Sequence, residues 1–263
     1  MAVTPARPKL NQSVQKAMTL LRATALDGEG ASVSALARAT GLPRATALRL
    51  IQTLEAEGVL VRVPGADRVL LGPELIRLAR EVDVGTLLLE LARPSLGELS
   101  EAVRETVTLS VIAPDGALDL VHQVDGPQHL VPRSWIGLRF PLHASSSGKL
   151  VLSTYDEARV ERLLQDPLPR MACSTITSRR VLRRELAQVR EQGFATTVDE
   201  LEEGLAGVSV GIFSEARTIL GTINVSGLGQ RFDAAARRRA VDRMRGCVAE
   251  IESALQRGAR AAH

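Results

Sequence analysis

Ser34 to Thr46 of the chain reads SALARATGLPRAT, and this stretch decides the fold of the N-terminal part. Leu36 and Ala37 fall on one side of a short predicted helix, which stops at Gly41 because glycine readily adopts the positive φ of a tight turn. Pro43 suits the first position of a second helix, where its missing N–H costs no intrahelical hydrogen bond. Two helices joined by a short glycine-containing turn are typical of the helix-turn-helix unit.

The flanking sequence completes a small domain around this unit. Before the turn, apolar residues at helical spacing predict a further helix with Ser13 as its N-cap. After it, residues 58–72 alternate as two strands around a turn rich in glycine and proline, which predicts a β-hairpin. We therefore expect an all-α winged helix-turn-helix domain over residues 1–72, in which residues 1–12 form a flexible tail.

The helix after Gly41 turns to solvent the residue types that contact DNA. Arginine binds phosphate or guanine, glutamine reads adenine, and an apolar side chain touches the thymine methyl group. A hydrated helix face would carry similar residues, but the helix-turn-helix pattern favours DNA contact. The residues predicted to bind DNA are Arg44, Ala45, Thr46, Leu48, Arg49 and Gln52 on this helix, with Arg62 and Arg68 in the hairpin.

The distribution of charge supports a nucleic-acid partner. Residues 1–80 contain 11 Lys and Arg against 6 Asp and Glu, whereas the remainder contains 22 against 24. The basic excess behind the pI of about 9.3 therefore comes from the first third of the chain. A basic excess confined to one domain is the electrostatic footprint of a nucleic-acid-binding protein.

Composition limits the remaining classes of function. With 263 residues, 45% of them hydrophobic and 24% charged, the chain is long enough for two folded domains. No apolar run reaches the roughly 18 to 20 residues of a membrane span and no secretory signal is seen, so we expect a cytoplasmic protein without a membrane partner. Cys173 and Cys247 are the only cysteines, and their isolation indicates neither a disulfide framework nor a metal site. No cofactor is expected.

The rest of the chain predicts an α+β domain with an antiparallel sheet. Helical spacing indicates a linker helix region over residues 73–92, followed by a domain over residues 93–263. A helical stretch from Thr86 to Val103 is expected to be interrupted at Pro94. Strands are predicted at residues 106–113, 117–124, 128–134, 194–198, 205–213 and 218–226, and helices at 145–154, 156–164, 179–192 and 233–255.

Two parts of the sequence resemble one known family. SALARATGLPRAT and the later segment Arg49 to Leu54 resemble the DNA-binding domain of the IclR family of bacterial transcriptional regulators, although many members carry a polar or aromatic residue in place of Leu48. The segment Phe140 to Lys149, FPLHASSSGK, resembles part of that family's GAF-like effector-binding domain. The resemblance implies a homodimer, or a dimer of dimers, that binds a double-stranded DNA operator under the control of a small-molecule effector.

The resemblance also implies where the effector binds. The family's pocket lies between the sheet and the loop-helix junction that matches Ala144 to Gly148, whose backbone N–H groups would hold a carboxylate. Gly207 stands where relatives often have cysteine, which reshapes the pocket. Helix capping and core packing are the alternative roles for these positions. The predicted effector-binding residues are Trp135, Phe140, Ser145, Ser146, Ser147, Asp199, Glu200, Gly207, Asn224 and Ser226.

Two catalytic strings also occur, and neither has its required context. Gly207 to Gly211 reads GVSVG, but a nucleophile elbow needs a strand, a sharp turn and a helix, whereas strands are predicted on both sides of Ser209. Ser146 to Lys149 matches a Ser-x-x-Lys string without its partner motifs. We expect no enzyme but a repressor, in preference to an activator, that responds to a small carboxylate-containing metabolite. The alternatives are a regulator with a ligand-free assembly domain and a serine hydrolase.

Overall fold

The computed structural model describes residues 10–113, 115–128, 136 and 141–260. The chain divides into two compact units, with the boundary between Asp83 and Val84. The predicted strand at residues 128–134 lies almost wholly outside the described residues. Most of the predicted N-terminal tail, Trp135 and Phe140 lie outside them too.

The first unit has the helices and the hairpin that the sequence predicts. Helix α1 begins after Asn11, whose side-chain oxygen accepts a hydrogen bond from the backbone N–H of Ser13 at 3.0 Å. The N-cap predicted at Ser13 was therefore wrong by two residues. The elements are α1 (Gln12–Asp27), α2 (Val33–Thr40), α3 (Arg44–Ala56), the antiparallel strands β1 (Leu60–Arg62) and β2 (Val69–Leu71), and α4 (Glu74–Arg80).

The turn between α2 and α3 follows directly from its residues. Ser32 caps α2 through the N–H of Ala35, and Gly41 ends the helix with a φ of +66° in the left-handed region. Ala37 and Ala47 are buried at the contact between α2 and α3, where small side chains let the helices approach closely. The buried core of the unit contains Leu20, Ala31, Val33, Leu36, Ala37, Ala47, Ile51, Leu60 and Val69.

The second unit begins with a long helix, α5 (Val84–Val103), that continues through Pro94. The predicted interruption at this residue was wrong. A proline removes one backbone hydrogen bond of the helix, but Pro94 lies on the exposed side. The opposite side, which includes Leu88, Leu96 and Leu99, is buried without a break against the sheet.

The sheet of the second unit is antiparallel throughout and has the strand order β4-β3-β7-β6-β5. This confirms the predicted α+β domain with an antiparallel sheet. No helix in the described parts of the chain is both long and apolar enough to cross a membrane. The elements are β3 (Thr106–Ile112), β4 (Leu118–Val124), α6 (Ser146–Ser153), α7 (Glu157–Leu163), α8 (Arg179–Gln192), β5 (Ala195–Val198), β6 (Leu205–Phe213), β7 (Ile219–Leu228) and α9 (Ala234–Arg260).

The two faces of this sheet differ in polarity because apolar and polar residues alternate along its central strands. The apolar face packs against α5 and against α9, where Cys247 is one of the buried residues. The polar face packs against α6. Residues of the apolar face include Val107, Leu109, Val208, Val210, Ile223 and Val225. Residues of the polar face include Thr106, Thr108, Thr197, Ser209, Thr222, Asn224 and Ser226.

Candidate functional site

Helix α3 turns one row of side chains to solvent. Ala47 and Ile51, both 0% exposed, fix this orientation because they pack in the core of the first unit. Neither Arg44 nor Arg49 forms an ion pair with a described residue, so both guanidinium groups are available to a partner. Of the predicted contact residues on the helix, Thr46 is half-buried, and the exposed ones are Arg44, Ala45, Leu48, Arg49 and Gln52.

The two predicted contact residues of the hairpin are exposed but already hydrogen-bonded. Arg62 pairs with Glu55 of α3, with 3.1 Å between Nε and Oε1. Arg68 donates from Nη1 to the backbone carbonyl of Glu29 at 3.2 Å. These bonds hold the hairpin against the helical part of the unit. Arg62 is the last residue of β1 and Arg68 directly precedes β2, so both strands of the hairpin have a basic residue at one end.

A cavity lies in the second unit between the polar face and the start of α6. The cavity has a volume of about 50 Å³. None of the described lining residues is charged. The lining consists of Thr106, Thr108, Leu120, Gln123, Ser145, Ser146, Ser147, Thr197, Leu201, Leu205, Gly207, Asn224 and Ser226.

The structure thus brings six of the predicted effector-binding residues together around one cavity. These are Ser145, Ser146, Ser147, Gly207, Asn224 and Ser226. Sequence reasoning did not identify the threonines of the lining, Thr106, Thr108 and Thr197, nor Gln123 and the leucines. A usable signal was present, since residues 106–110 read TVTLS, an alternation of polar and apolar residues inside a buried strand.

The residues at the start of α6 line the cavity and include backbone donors without an acceptor among the described residues. Ser145 is the N-cap, and its Oγ accepts a hydrogen bond from the N–H of Gly148 at 3.1 Å. The N–H groups of Ser146 and Ser147 have no acceptor in the described part of the chain. Such first-turn N–H groups carry the partial positive charge of the helix dipole and bind anions. A Cβ at Gly148 would lie 2.3 Å from the carbonyl oxygen of Leu142, so only glycine permits this close packing.

Below the helix, hydroxyl and amide groups form a connected cluster. Ser146 Oγ lies 2.8 Å from Asn224 Oδ1 and 2.9 Å from Ser209 Oγ, and Ser209 Oγ lies 3.0 Å from Ser147 Oγ. Asn224 Nδ2 reaches Thr108 Oγ1 at 3.4 Å. The cluster joins α6 to three strands and holds the helix start in place, because its members satisfy one another.

Gly207 leaves a depression beside this cluster. A Cβ at this position would lie 3.2 Å from Ser146 Oγ, 3.3 Å from Thr197 Oγ1 and 3.4 Å from Asn224 Oδ1. A side chain here would therefore occupy space next to three polar atoms of the cavity wall. That glycine at this position reshapes the pocket stays a prediction.

The structure does not bring Asp199 and Glu200 into the cavity lining. Glu200 Oε1 accepts a hydrogen bond from Lys149 Nζ at 2.6 Å, and Lys149 is 0% exposed. Burial raises the pKa of Glu200, and the ammonium group of Lys149 opposes this shift. Asp199 instead accepts a hydrogen bond from the N–H of Gly204 at 2.6 Å. Both carboxylates therefore secure the loop before β6, and sequence reasoning missed the buried ion pair with Lys149.

Neither catalytic string has a catalytic geometry. Ser209 lies in the middle of the continuous strand β6, so no nucleophile elbow exists, and its hydroxyl is hydrogen-bonded within the cluster. The ammonium group of Lys149 is paired with Glu200 and lies 3.4 Å from Glu185 Oε1. No histidine is among the described residues that line the cavity.

Comparison with known proteins relates both units to one family. The model of the IclR helix-turn-helix domain matches residues 13–64, and that of the bacterial transcriptional regulator IclR C-terminal domain matches residues 84–253. The chain is 35% identical over 197 residues to the HTH-type transcriptional regulator Rv1719 of Mycobacterium tuberculosis, which covers 75% of each protein. It is 28% identical over 228 residues to the transcriptional repressor IclR of Escherichia coli, covering 86% of this chain and 83% of that one.

A similar solved structure is an IclR homolog from Microbacterium hydrocarbonoxydans complexed with 4-hydroxybenzoate. It is 25% identical, with a TM-score of 0.60, and the match covers 93% of this chain and 99% of that one. The likeness therefore extends over both units of the chain.

Proposed function

The chain belongs to the IclR family of transcriptional regulators and is a DNA-binding regulator rather than an enzyme, and from this premise we propose that an effector bound in the cavity of the second unit controls operator binding by the first. The observation that carries the proposal is that Ser146 and Ser147 line a cavity at the start of α6 and that their backbone N–H groups have no acceptor among the described residues.

The effector of this proposal is a small carboxylate. The start of α6 supplies the positive end of a helix dipole, which favours an anionic group, and Asn224 and Ser226 add polar groups from the sheet. The relative from Microbacterium hydrocarbonoxydans was solved with a carboxylate, 4-hydroxybenzoate. We keep Trp135 and Phe140 as a predicted apolar wall of the site. Asp199 and Glu200 act in the proposal only by securing the loop that carries Leu201.

Operator recognition is assigned to the exposed row of α3, supported by Arg62 and Arg68. The test is selection of binding sites from mixed genomic fragments, followed by affinity measurement on the recovered site. Arg49→Ala should weaken binding by about 5- to 100-fold, the usual value of a base or phosphate contact. Arg180→Ala, an exposed arginine on α8, is the matched control and should retain the affinity. Recovery of no preferred site, or equal loss in both variants, would contradict the assignment.

We further infer a homodimer, or a dimer of dimers, that meets a pseudo-palindromic operator. Support comes from α4, in which no residue is buried and Ile76 is 60% and Leu78 47% exposed. A short helix with exposed apolar residues on more than one side is typical of a segment that association covers. The molar mass from light scattering tests this inference, and Ile76→Glu should lower it toward that of one chain.

Control by the effector is tested by two measurements on the full chain. A thermal-shift screen with small acids, sugars and amino acids should find ligands that raise Tm, because a ligand of the native state stabilises it. Operator affinity should then change at least about tenfold with a saturating ligand, which corresponds to about 1.4 kcal/mol of coupling. Ligands that raise Tm and leave operator affinity unchanged would defeat the coupling.

The proposed sign of regulation is repression, supported by the relative from Escherichia coli, which is named a transcriptional repressor. A reporter gene behind the recovered operator should be expressed less when this chain is present. Higher expression would make the chain an activator.

A further inference from the structure

We propose that a cleft at the start of α9 binds a phosphate group, carried by a small phosphorylated metabolite or present as the free ion. We name it the α9 cleft. It is lined by Gln192, Phe194, Thr196, Ala234, Arg237 and Arg238. The proposal is independent of the cavity beside α6, which has a different lining.

Strand β5 separates the α9 cleft from the cavity beside α6. Successive side chains of a strand point to opposite faces of the sheet. Thr197 lines the cavity beside α6, whereas its neighbour Thr196 lines the α9 cleft. β5 is the edge strand of the sheet, and α9 supplies the other wall of the cleft. The two sites therefore lie on opposite faces of the same strand.

The α9 cleft has room for a small anion. Its volume is about 210 Å³, whereas one water molecule occupies roughly 30 Å³ in the liquid. A phosphate group with a short organic part therefore fits, and the arginines line a concave site rather than a flat charged surface.

Two arginines line this cleft without a carboxylate to neutralise them. No Asp or Glu is among its described lining residues, and neither Arg237 nor Arg238 forms an ion pair with a described residue. Asp233 attracts Arg237 electrostatically, but Asp233 Oδ1 accepts a hydrogen bond from the N–H of Ala236 at 2.7 Å. Like charges in one cleft repel each other, and an anion bound between them would remove this repulsion.

Arg237 differs from a freely solvated surface arginine. It is half-buried, and burial lowers the pKa of its guanidinium group because the charged form has lost part of its water. Nη1 of Arg237 donates to the backbone carbonyl of Phe232 at 2.6 Å, which holds the side chain in place. Arg238 is exposed and makes no hydrogen bond with a described residue. One guanidinium group is therefore fixed and partly desolvated, and the other is free to move onto a ligand.

Phosphate suits this set of donors. Guanidinium groups bind phosphate oxygens through paired N–H groups, and the dianion matches two cations. The hydroxyl of Thr196 makes no hydrogen bond with a described residue and can donate to a further oxygen. Arg245 adds positive charge beside the cleft, since its Cζ lies 6.0 Å from the centroid of the Phe194 ring.

Titration calorimetry of the full chain at low salt tests the site, with inorganic phosphate and methyl phosphate as ligands. At least one of them should bind with a Kd of about 1 mM or lower. Tighter binding of methyl phosphate assigns the site to phosphorylated metabolites, and tighter binding of inorganic phosphate assigns it to the free ion. Equal binding shows that the phosphate group alone is recognised.

Two neighbouring arginines of α9 locate the binding. Arg238→Ala should weaken it by about 10- to 100-fold, because the variant loses a charge-assisted contact. Arg239→Ala is the matched control: Arg239 is also exposed and has no ion pair with a described residue, but it does not line the cleft. This control should retain the affinity. The isosteric Thr196→Val should weaken binding by about 3- to 10-fold, the usual effect of one hydrogen bond.

Three results would overturn the proposal. These are no measurable binding of either ligand, unchanged affinity in Arg238→Ala, and an equal loss in both arginine variants. A loss of operator affinity in Arg238→Ala without phosphate binding would assign the cleft to the DNA backbone instead. The proposed function is tested on other ligands and on the operator, so its failure would leave this result unchanged.

Discussion

The two faces of the sheet in the second unit come from alternate residues of the same strands, and they are satisfied in different ways. On the apolar face, Leu109 and Ile223 are completely buried against the helices that cover them. On the polar face, Ser209 and Asn224 are joined by hydrogen bonds to α6, while Thr106 remains unpaired beside a cavity. The difference teaches that alternate residues of one strand can do different work: apolar burial on one face, and a hydrogen-bonded cluster beside a cavity on the other.

The largest loss of stability is expected at the polar face, where α6 carries the buried ion pair between Lys149 and Glu200. Lys149→Met should lower the free energy of unfolding by about 3 to 5 kcal/mol, because it leaves the carboxylate of Glu200 buried without its cation. Denaturant unfolding measures the loss. The double variant Lys149→Met with Glu200→Gln should recover part of it, and a loss below about 1 kcal/mol would show that the pair contributes little.

The pH dependence of the free energy of unfolding of Lys149→Met is a second test of the same ion pair. Burial raises the pKa of Glu200 above its ordinary 4.5, and loss of the ammonium group raises it further. The folded state then keeps a proton that the unfolded state releases, so stability falls as pH rises from 4.5 through the raised pKa. The deficit of Lys149→Met should therefore be smaller at about pH 5 than at about pH 8. A Glu200→Gln background should remove the difference.

On the apolar face, the expected effect is a loss of stability without a change in specificity. Leu109→Ala should cost about 3 kcal/mol, because it removes a completely buried side chain from the main core. Thermal or denaturant unfolding measures it. Below the midpoint, the affinity for ligands found in the thermal-shift screen should equal that of the original chain, and a changed affinity would mean that the two faces are not independent.

At the cavity, we expect a substitution to lower ligand affinity and to leave the stability of the fold almost unchanged. Gly207→Ala should change stability by about 1 kcal/mol or less, since Ser146 Oγ and Thr197 Oγ1 must yield only a few tenths of an ångström. The ligand that raises Tm most in the thermal-shift screen should lose about tenfold in affinity, because the new methyl group occupies the depression beside the cluster. Calorimetry measures the affinity, and an unchanged value would place the ligand elsewhere.

The smallest change in stability is expected at Thr222, which lies on the polar face but neither lines the cavity nor forms a side-chain hydrogen bond with a described residue. Thr222→Val removes an unpaired buried hydroxyl and should leave the free energy of unfolding unchanged or raise it by up to about 1 kcal/mol. A loss above about 1 kcal/mol would mean that this hydroxyl has a partner, such as an ordered water.

The first unit was predictable from sequence because its determinants are local. Gly41 and Ser32 act within a few residues of their own positions, and the burial of Ala47 and Ile51 follows from helical spacing. The exception is the start of α1. Asn11 and Ser13 both suit an N-cap, and only the backbone conformation shows which one serves.

The cavity was less predictable because strand register assembles it. Thr106 and Thr197 meet around one cavity although they are far apart in sequence, and nothing in either segment reveals the other. Resemblance to a family supplied Ser146 and Asn224, which line the cavity. It also suggested Glu200, but the ammonium group of Lys149 holds that carboxylate away from the lining. A single charge inside the otherwise uncharged α6 sequence SSGKLVLS was the available sign of a buried pair.

Cys247, which is buried on the apolar face, can report on local opening of the structure there. Burial raises the pKa of the Cys247 thiol to about 12, so at neutral pH it is protonated and hidden from alkylating reagents. Cys173 is exposed and reacts without any opening. The ratio of the two labelling rates therefore follows how often α9 separates from the strands, with no added probe and no change of sequence.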